Sequence, residues 1–215
     1  MIRSRVMVLV VAGLIGITGM IEAGIIRDKL SIAPFAGFGN SMFENHFGSH
    51  HSEQSFPVGL SVINQFHSNF FVSAGYEYSR YDFTWSIEAI NDGQWLDQST
   101  VTQHALTLNI HHIFPVPVIN PFIGAGVGLY IGNYHYDHNE DADIRTFIEV
   151  HDYTLDYKPA LGYNLNGGLL YNLSARWGLV GHYVYHIVDR KEDSPGTKAD
   201  GMNNWAVHLG VRYQL

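Results

Sequence analysis

From Trp205 to Leu215 every odd position is apolar (Trp205, Val207, Leu209, Val211, Tyr213, Leu215). Every even position is small or polar (Ala206, His208, Gly210, Arg212, Gln214). Period-2 alternation of this kind predicts a β-strand with two unlike faces. Seven further segments carry it. Leu30–Gly39 sets Leu30, Ile32, Pro34, Ala36 and Phe38 on one face, with Phe35 on the other. Pro57–Phe66 sets Val58, Leu60 and Val62 outward, and Phe70–Tyr81 opposes Val72, Ala74, Tyr76 and Tyr78 to Ser73, Gly75, Glu77 and Ser79. In Val101–Phe114, Leu106, Leu108 and Ile110 face away from Ala105, Thr107, Asn109 and His111. In Pro121–Gly132, Ile123, Ala125, Val127, Leu129 and Ile131 face away from Gly124, Gly126 and Gly128. Lys158–Tyr171 separates Leu161, Tyr163, Leu165, Leu169 and Tyr171 from Asn164 and Asn166. The seventh segment separates Trp177, Leu179, Tyr183, Tyr185 and Ile187 from Arg176, His182 and His186.

The connections alternate in length. Those at 67–69, 115–120 and 172–174 are short, and those at 40–56, 82–100, 132–157 and 189–203 are long. An even number of strands joined in this way predicts an all-β, eight-stranded antiparallel up-and-down barrel with both ends of the sheet on the short-turn side. Which face is apolar decides the solvent. A soluble barrel is apolar inside and polar outside. Here Glu77, Asn109, His111, Asn164, Asn166, His182, His208 and Arg212 share one face, and the other is almost uniformly apolar. Such side chains do not line a dry core, so the apolar face is expected to meet lipid. Phe70, Tyr171, Trp177 and Tyr213 then belong to one interfacial girdle, and Tyr78, Tyr185 and Trp205 to the other.

The N-terminus sharpens this picture. Arg3 and Arg5 precede an apolar run from Val6 to Ile21, broken in polarity only by Thr18, and Ala23 follows. The run is shorter than the ~20 residues a spanning helix needs, and Gly13, Gly16 and Gly19 interrupt it. Residues 1–23 are expected to be a cleaved signal peptide, and 24–215 one barrel domain. Charged residues make up 15% of the chain, below the roughly 25% of ordinary soluble proteins. With no cysteine, a disulfide framework, a thiol nucleophile and a cysteine zinc site are excluded. A net charge of −8 argues against a nucleic-acid partner, which calls for a basic stripe.

Two stretches resemble a known family. Pro121-Phe122-Ile123-Gly124-Ala125-Gly126-Val127-Gly128 resembles the proline-aromatic-x-glycine-x-glycine strand of small OmpA-like and opacity-type outer-membrane proteins. His208-x-Gly210-x-x-Tyr213-x-Leu215 resembles the C-terminal signal read by the barrel assembly machinery, with leucine in place of the usual terminal phenylalanine. The resemblance implies export to the outer membrane of a Gram-negative-type cell. It also implies partners among outer-membrane lipids and lipopolysaccharide, and it says little about activity.

The candidate chemistry lies in the lumen and in the loops. Glu77, His111, His182, His186, His208 and Arg212 are expected inside. An eight-stranded barrel is just wide enough for side chains to fill, so these groups read as a polar plug or as a gate in which a Glu77–Arg212 pair opens. The inward glycines either make room for bulky neighbours or leave a narrow water file. In the third long loop His135, Asp137, His138, Asp141 and Asp143 offer oxygen and imidazole ligands for loosely bound calcium or zinc. Ala142 stands where a calcium loop needs glycine and Glu149 falls one place late, so the loop also reads as a solvated acidic surface. His46, His50 and His51 of the first long loop belong to the same rim.

His67-Ser68-Asn69 places a base beside a hydroxyl, but adjacent residues on a turn do not make a triad. With neither a Gly-x-Ser-x-Gly nor a His-Glu-x-x-His motif, no enzyme is expected. Arg80, on the lipid face by parity, is placed to meet lipopolysaccharide phosphate. No cofactor is otherwise implied. The expected function is structural and surface-interacting, with outer loops engaging a host or cell-surface ligand. The alternative is a narrow porin-like channel or a route for small amphiphiles. An inside-facing phenylalanine cluster leading to a lateral opening would favour that route, and only Phe35, Phe122 and Tyr130 hint at one.

Overall fold

The computed structural model describes residues 30–44, 50–88, 94–137, 153–156, 159–188 and 202–215. They form ten strands: β1 (Leu30–Glu44), β2 (His50–Ser55), β3 (Val58–His67), β4 (Phe70–Glu88), β5 (Gln94–Ile113), β6 (Ile119–Asp137), β7 (Tyr153–Asp156), β8 (Ala160–Asn172), β9 (Trp177–Val188) and β10 (Met202–Gln214). Residues 1–23, where a signal peptide is expected, lie outside the described residues.

Eight of the strands close a ring. Going round, β1 pairs with β3, then β4, β5, β6, β8, β9 and β10, and β10 returns to β1, antiparallel throughout. The seam runs from Ser31 opposite Gln214 to Met42 opposite Asn203. It is finished by the Leu215 N–H donating to the Leu30 carbonyl at 2.9 Å. Closure satisfies backbone groups that lipid cannot hydrate. β2 and β7 extend the wall beyond the ring on β1 and β6. β2 and β3 are one strand interrupted at Phe56–Pro57. Proline has no N–H for the ladder, and the Pro57 carbonyl still accepts from Gly37 N–H at 2.8 Å.

The faces are assigned as the alternation predicts. Outside, Leu161 is 78% exposed, Leu209 72% and Ile123 59%. Inside, Asn164, His186 and His208 are buried. This inversion places the apolar face toward lipid. β1 settles with Phe38 outward and Phe35 inward, where its ring stacks on His208 at 4.5 Å. Trp177 packs on Tyr213 (4.7 Å) near the short turns, and Trp205 meets Tyr183 and Phe38 (6.3 and 6.1 Å) toward the other end.

One expectation is corrected. Segments 40–56, 82–100 and 132–157 are not simply loops: β1 runs on to Glu44, β4 to Glu88, β5 starts at Gln94 and β6 reaches Asp137. Beyond the lipid belt both faces meet water, so the apolar alternation ends. The backbone ladder needs no such alternation and continues.

Candidate functional site in the lumen

Inward side chains divide the lumen into layers. Near the short turns, Ala33, Ile63, Phe71, Ile113, Phe122 and Leu170 pack into an apolar plug, with Val180 against it. Phe71 lies edge-on to Phe122 at 5.3 Å, and His111 stacks flat on Phe71 at 4.0 Å. Toward the long-loop end, Ala105, Tyr130, Ala160 and Val188 form a second apolar cluster.

Between them sits a polar layer centred on Glu77. Its Oε2 lies 3.3 Å from His208 Nε2 and 3.8 Å from His186 Nε2. Its Oε1 accepts from the Ser79 hydroxyl at 2.8 Å. His186 is fixed from behind, its Nδ1 2.7 Å from the Tyr130 hydroxyl. A second network joins Ser73 Oγ to His111 Nε2 at 2.9 Å, and Asn109 Nδ2 donates to Ser73 Oγ at 3.3 Å. Asn166 Nδ2 donates to Asn164 Oδ1 at 2.7 Å. A buried carboxylate persists only where partners surround it, and here strands β4, β9 and β10 supply them.

The three inward glycines of β6 make this packing possible. A Cβ at Gly124 would fall 2.5 Å from His111 Nδ1 and 2.6 Å from Asn166 Oδ1, and one at Gly128 would meet the Tyr130 ring at 2.7 Å. They make room for bulky neighbours. Small cavities remain, one of about 40 Å³ against the plug and one of about 30 Å³ beside Glu77. They share Phe35, Ser61, Ser73, His182 and His208 as walls.

Of the six lumen residues expected from sequence, Glu77, His182, His186 and His208 come together, and His111 joins them through His182, whose ring centroid is 6.3 Å away. Arg212 does not. It donates from Nη2 to Asn172 Oδ1 at 2.7 Å, and its backbone stands opposite Gly178 at the short-turn end. The Glu77–Arg212 pair is therefore not formed. Shared parity fixes a face, but the stagger of the strands separates residues along the barrel axis. The plug residues Phe71, Ile113 and Leu170 and the supporting Tyr130, Ser73 and Ser79 carry no motif that singles them out in the sequence. Their inward parity is the available signal.

The other sequence candidates fall elsewhere. His135 is exposed on β6. His138, Asp141, Asp143, His46 and the Asp137, His50 and His51 side chains lie outside the described residues. Among the described residues no three acidic or imidazole groups are arranged to hold a metal ion. Ser68 donates to Asn69 Oδ1 at 2.9 Å on an exposed turn, while His67 Nδ1 accepts from Asn69 N–H at 3.2 Å. The same imidazole nitrogen also lies 3.4 Å from the Ser68 hydroxyl, all on one exposed turn with no third group to orient the ring. Arg80, outward-facing as expected, is clasped by Asp82 at 2.9 Å, which also accepts from Thr100 at 2.8 Å. Gly210 lies inward against Phe35, Tyr213 outward on Trp177, and Leu215 exposed beyond the last strand.

A closed antiparallel barrel of eight strands, apolar outside and filled inside, has the architecture of the small outer-membrane barrels. Solved structures agree. Neisserial surface protein A is 13% identical over 86% of this chain and 97% of its own, with a TM-score of 0.56. OprG from Pseudomonas aeruginosa is 14% identical over 88% and 97%, at 0.55. A major outer membrane protein from Thermus thermophilus is 13% identical over 86% and 99%, at 0.54. At these identities the shared property is the fold. No family model matches the chain, and no curated protein matches it by sequence.

Proposed function

We propose that this protein is a non-enzymatic outer-membrane barrel of a Gram-negative-type cell, a closed scaffold that presents its long connections for surface interaction. The observation that carries this reading is the filled lumen: the Phe71–Phe122 plug and the Glu77 network occupy the space that a pore would need. A barrel so filled is a rigid display platform, and contact chemistry then belongs to the long connections at the end opposite the short turns. On this reading residues 1–23 direct export, and Gly210, Tyr213 and Leu215 present the assembly signal. The outward face contacts lipid and lipopolysaccharide, and the loop partner is a host or cell-surface ligand.

The test is single-channel recording of the refolded chain in planar bilayers at pH 7.5. A closed scaffold gives no discrete openings although folding is confirmed. Regular openings at that pH would make the protein a channel. The alternative, a route for small amphiphiles, is favoured by one observation: the cavity against the plug is walled by Phe35, Phe71 and Phe122, with Phe71 in the place the sequence offered to Tyr130.

A further inference from the structure

The lumen is unbalanced in ionisable groups. Among the inward side chains described between the plug and the Tyr130 cluster, one is a carboxylate, Glu77, against four imidazoles: His111, His182, His186 and His208. The guanidinium of Arg212 stands apart on Asn172. The imidazoles form a file. His186 and His208 flank Glu77, His208 lies 5.5 Å from His182 between ring centroids, and His182 lies 6.3 Å from His111. Two of their nitrogens, Nε2 of His182 and Nδ1 of His208, are buried without a hydrogen-bond partner.

The far end of the file reaches the constriction. His111 stacks on Phe71 and meets Phe122 edge-on at 5.3 Å, and His182 lies 5.8 Å from Phe122. Both line the cavity on the plug. The groups facing His111 are Ser73 from β4, Phe122 and Gly124 from β6, Asn166 from β8 and His182 from β9, with no carboxylate among them. His182 faces His208 from β10, His111 from β5 and Phe122 from β6, and shares the cavity beside Glu77 with it. The phenol of Tyr130 meets the file at its other end, on His186.

From this arrangement we propose a further activity: acid opens the lumen to anions. Glu77 balances one imidazolium. A second proton on the file has no counter-charge among the side chains described around it, and the file continues to the apolar constriction. Hydrophobic constrictions conduct or block according to whether they are wetted. Positive charge on His111 or His182 draws water and an anion into the adjoining cavities and wets the plug. A buried imidazole that faces no carboxylate takes up its proton only in stronger acid than an exposed one. The proposal rests on the lumen being closed at neutral pH.

The test is planar-bilayer recording of the refolded chain in potassium chloride at pH 7.5 and 3.0. Folding is checked in parallel by heat-modifiable migration, and selectivity by reversal potential under a salt gradient. The expected result is silence at pH 7.5 and, at pH 3.0, openings at least ~10-fold more frequent with a chloride-selective reversal potential. The double variant His111→Gln/His182→Gln is expected to stay silent at pH 3.0, and His182→Gln alone to reduce the openings. Silence of the folded native barrel at pH 3.0 overturns the proposal. So does cation selectivity, or acid openings that survive in the folded double variant. Openings already present at pH 7.5 overturn instead the closed-scaffold reading.

Discussion

Two neighbouring layers of one lumen are closed by opposite means. The plug near the short turns is built from aromatic rings and aliphatic chains that need only contact one another. The Glu77 layer is built from groups that need partners, and several of its buried nitrogens and amide atoms have none. Packing in the first is held by shape, whereas the second depends on protonation and on water within reach of its cavities. A barrel that was only a scaffold could be filled throughout like the plug. The polar layer next to it is where a chemical signal can act.

The contrast can be strained from the largest effect to the smallest. Gly126→Leu should abolish the folded barrel, because even a Cβ there would overlap the Leu108 carbonyl and the Asn109 side chain. Heat-modifiable migration reads the loss, and a native-like band would show that β6 does not need its glycines. Phe71→Ala should cost about 3–5 kcal/mol by leaving a cavity in the plug, measured by urea unfolding in lipid. It should also produce conductance at pH 7.5. Leu108→Arg, midway along the lipid face of β5, should cost about 2–4 kcal/mol, and a neutral outcome would mean that this face does not meet lipid.

Tyr130→Phe should cost about 1–2 kcal/mol, because it strands His186 Nδ1 without its 2.7 Å partner. Unlike Phe71→Ala it should leave the barrel silent at neutral pH, which separates the two layers directly. Arg80→Ala should change stability by no more than about 0.5 kcal/mol, since its pair with Asp82 is exposed and such pairs contribute little. It should weaken lipopolysaccharide association, and unchanged co-purification removes that role.

Strand number, strand faces and the asymmetry of the turns were all legible in the chain, because lipid on one side and side-chain packing on the other impose a strict period of two. Phe71 illustrates what was not. It shares parity with Ser73 and Glu77, yet an apolar residue among polar inward ones does not announce itself in a pattern where apolar means outward. Arg212 illustrates a second limit. Parity gives its face, but its height depends on the stagger between strands far apart in sequence, and it bonds Asn172 rather than Glu77. The extensions of β4 and β5 to Glu88 and Gln94 escaped because alternation reports the solvent, not the hydrogen-bond ladder.

The most direct test of the barrel's inside and outside uses the absence of native cysteine. Single cysteines at each position from Ala105 to His111, spin-labelled in the lipid-reconstituted barrel, would be scanned for collision with oxygen, which partitions into lipid. Leu106, Leu108 and Ile110 should be strongly accessible to oxygen, and Ala105, Thr107, Asn109 and His111 shielded, a period of two along β5. A reversed phase, or no alternation, would contradict a lipid-facing apolar surface around a filled lumen.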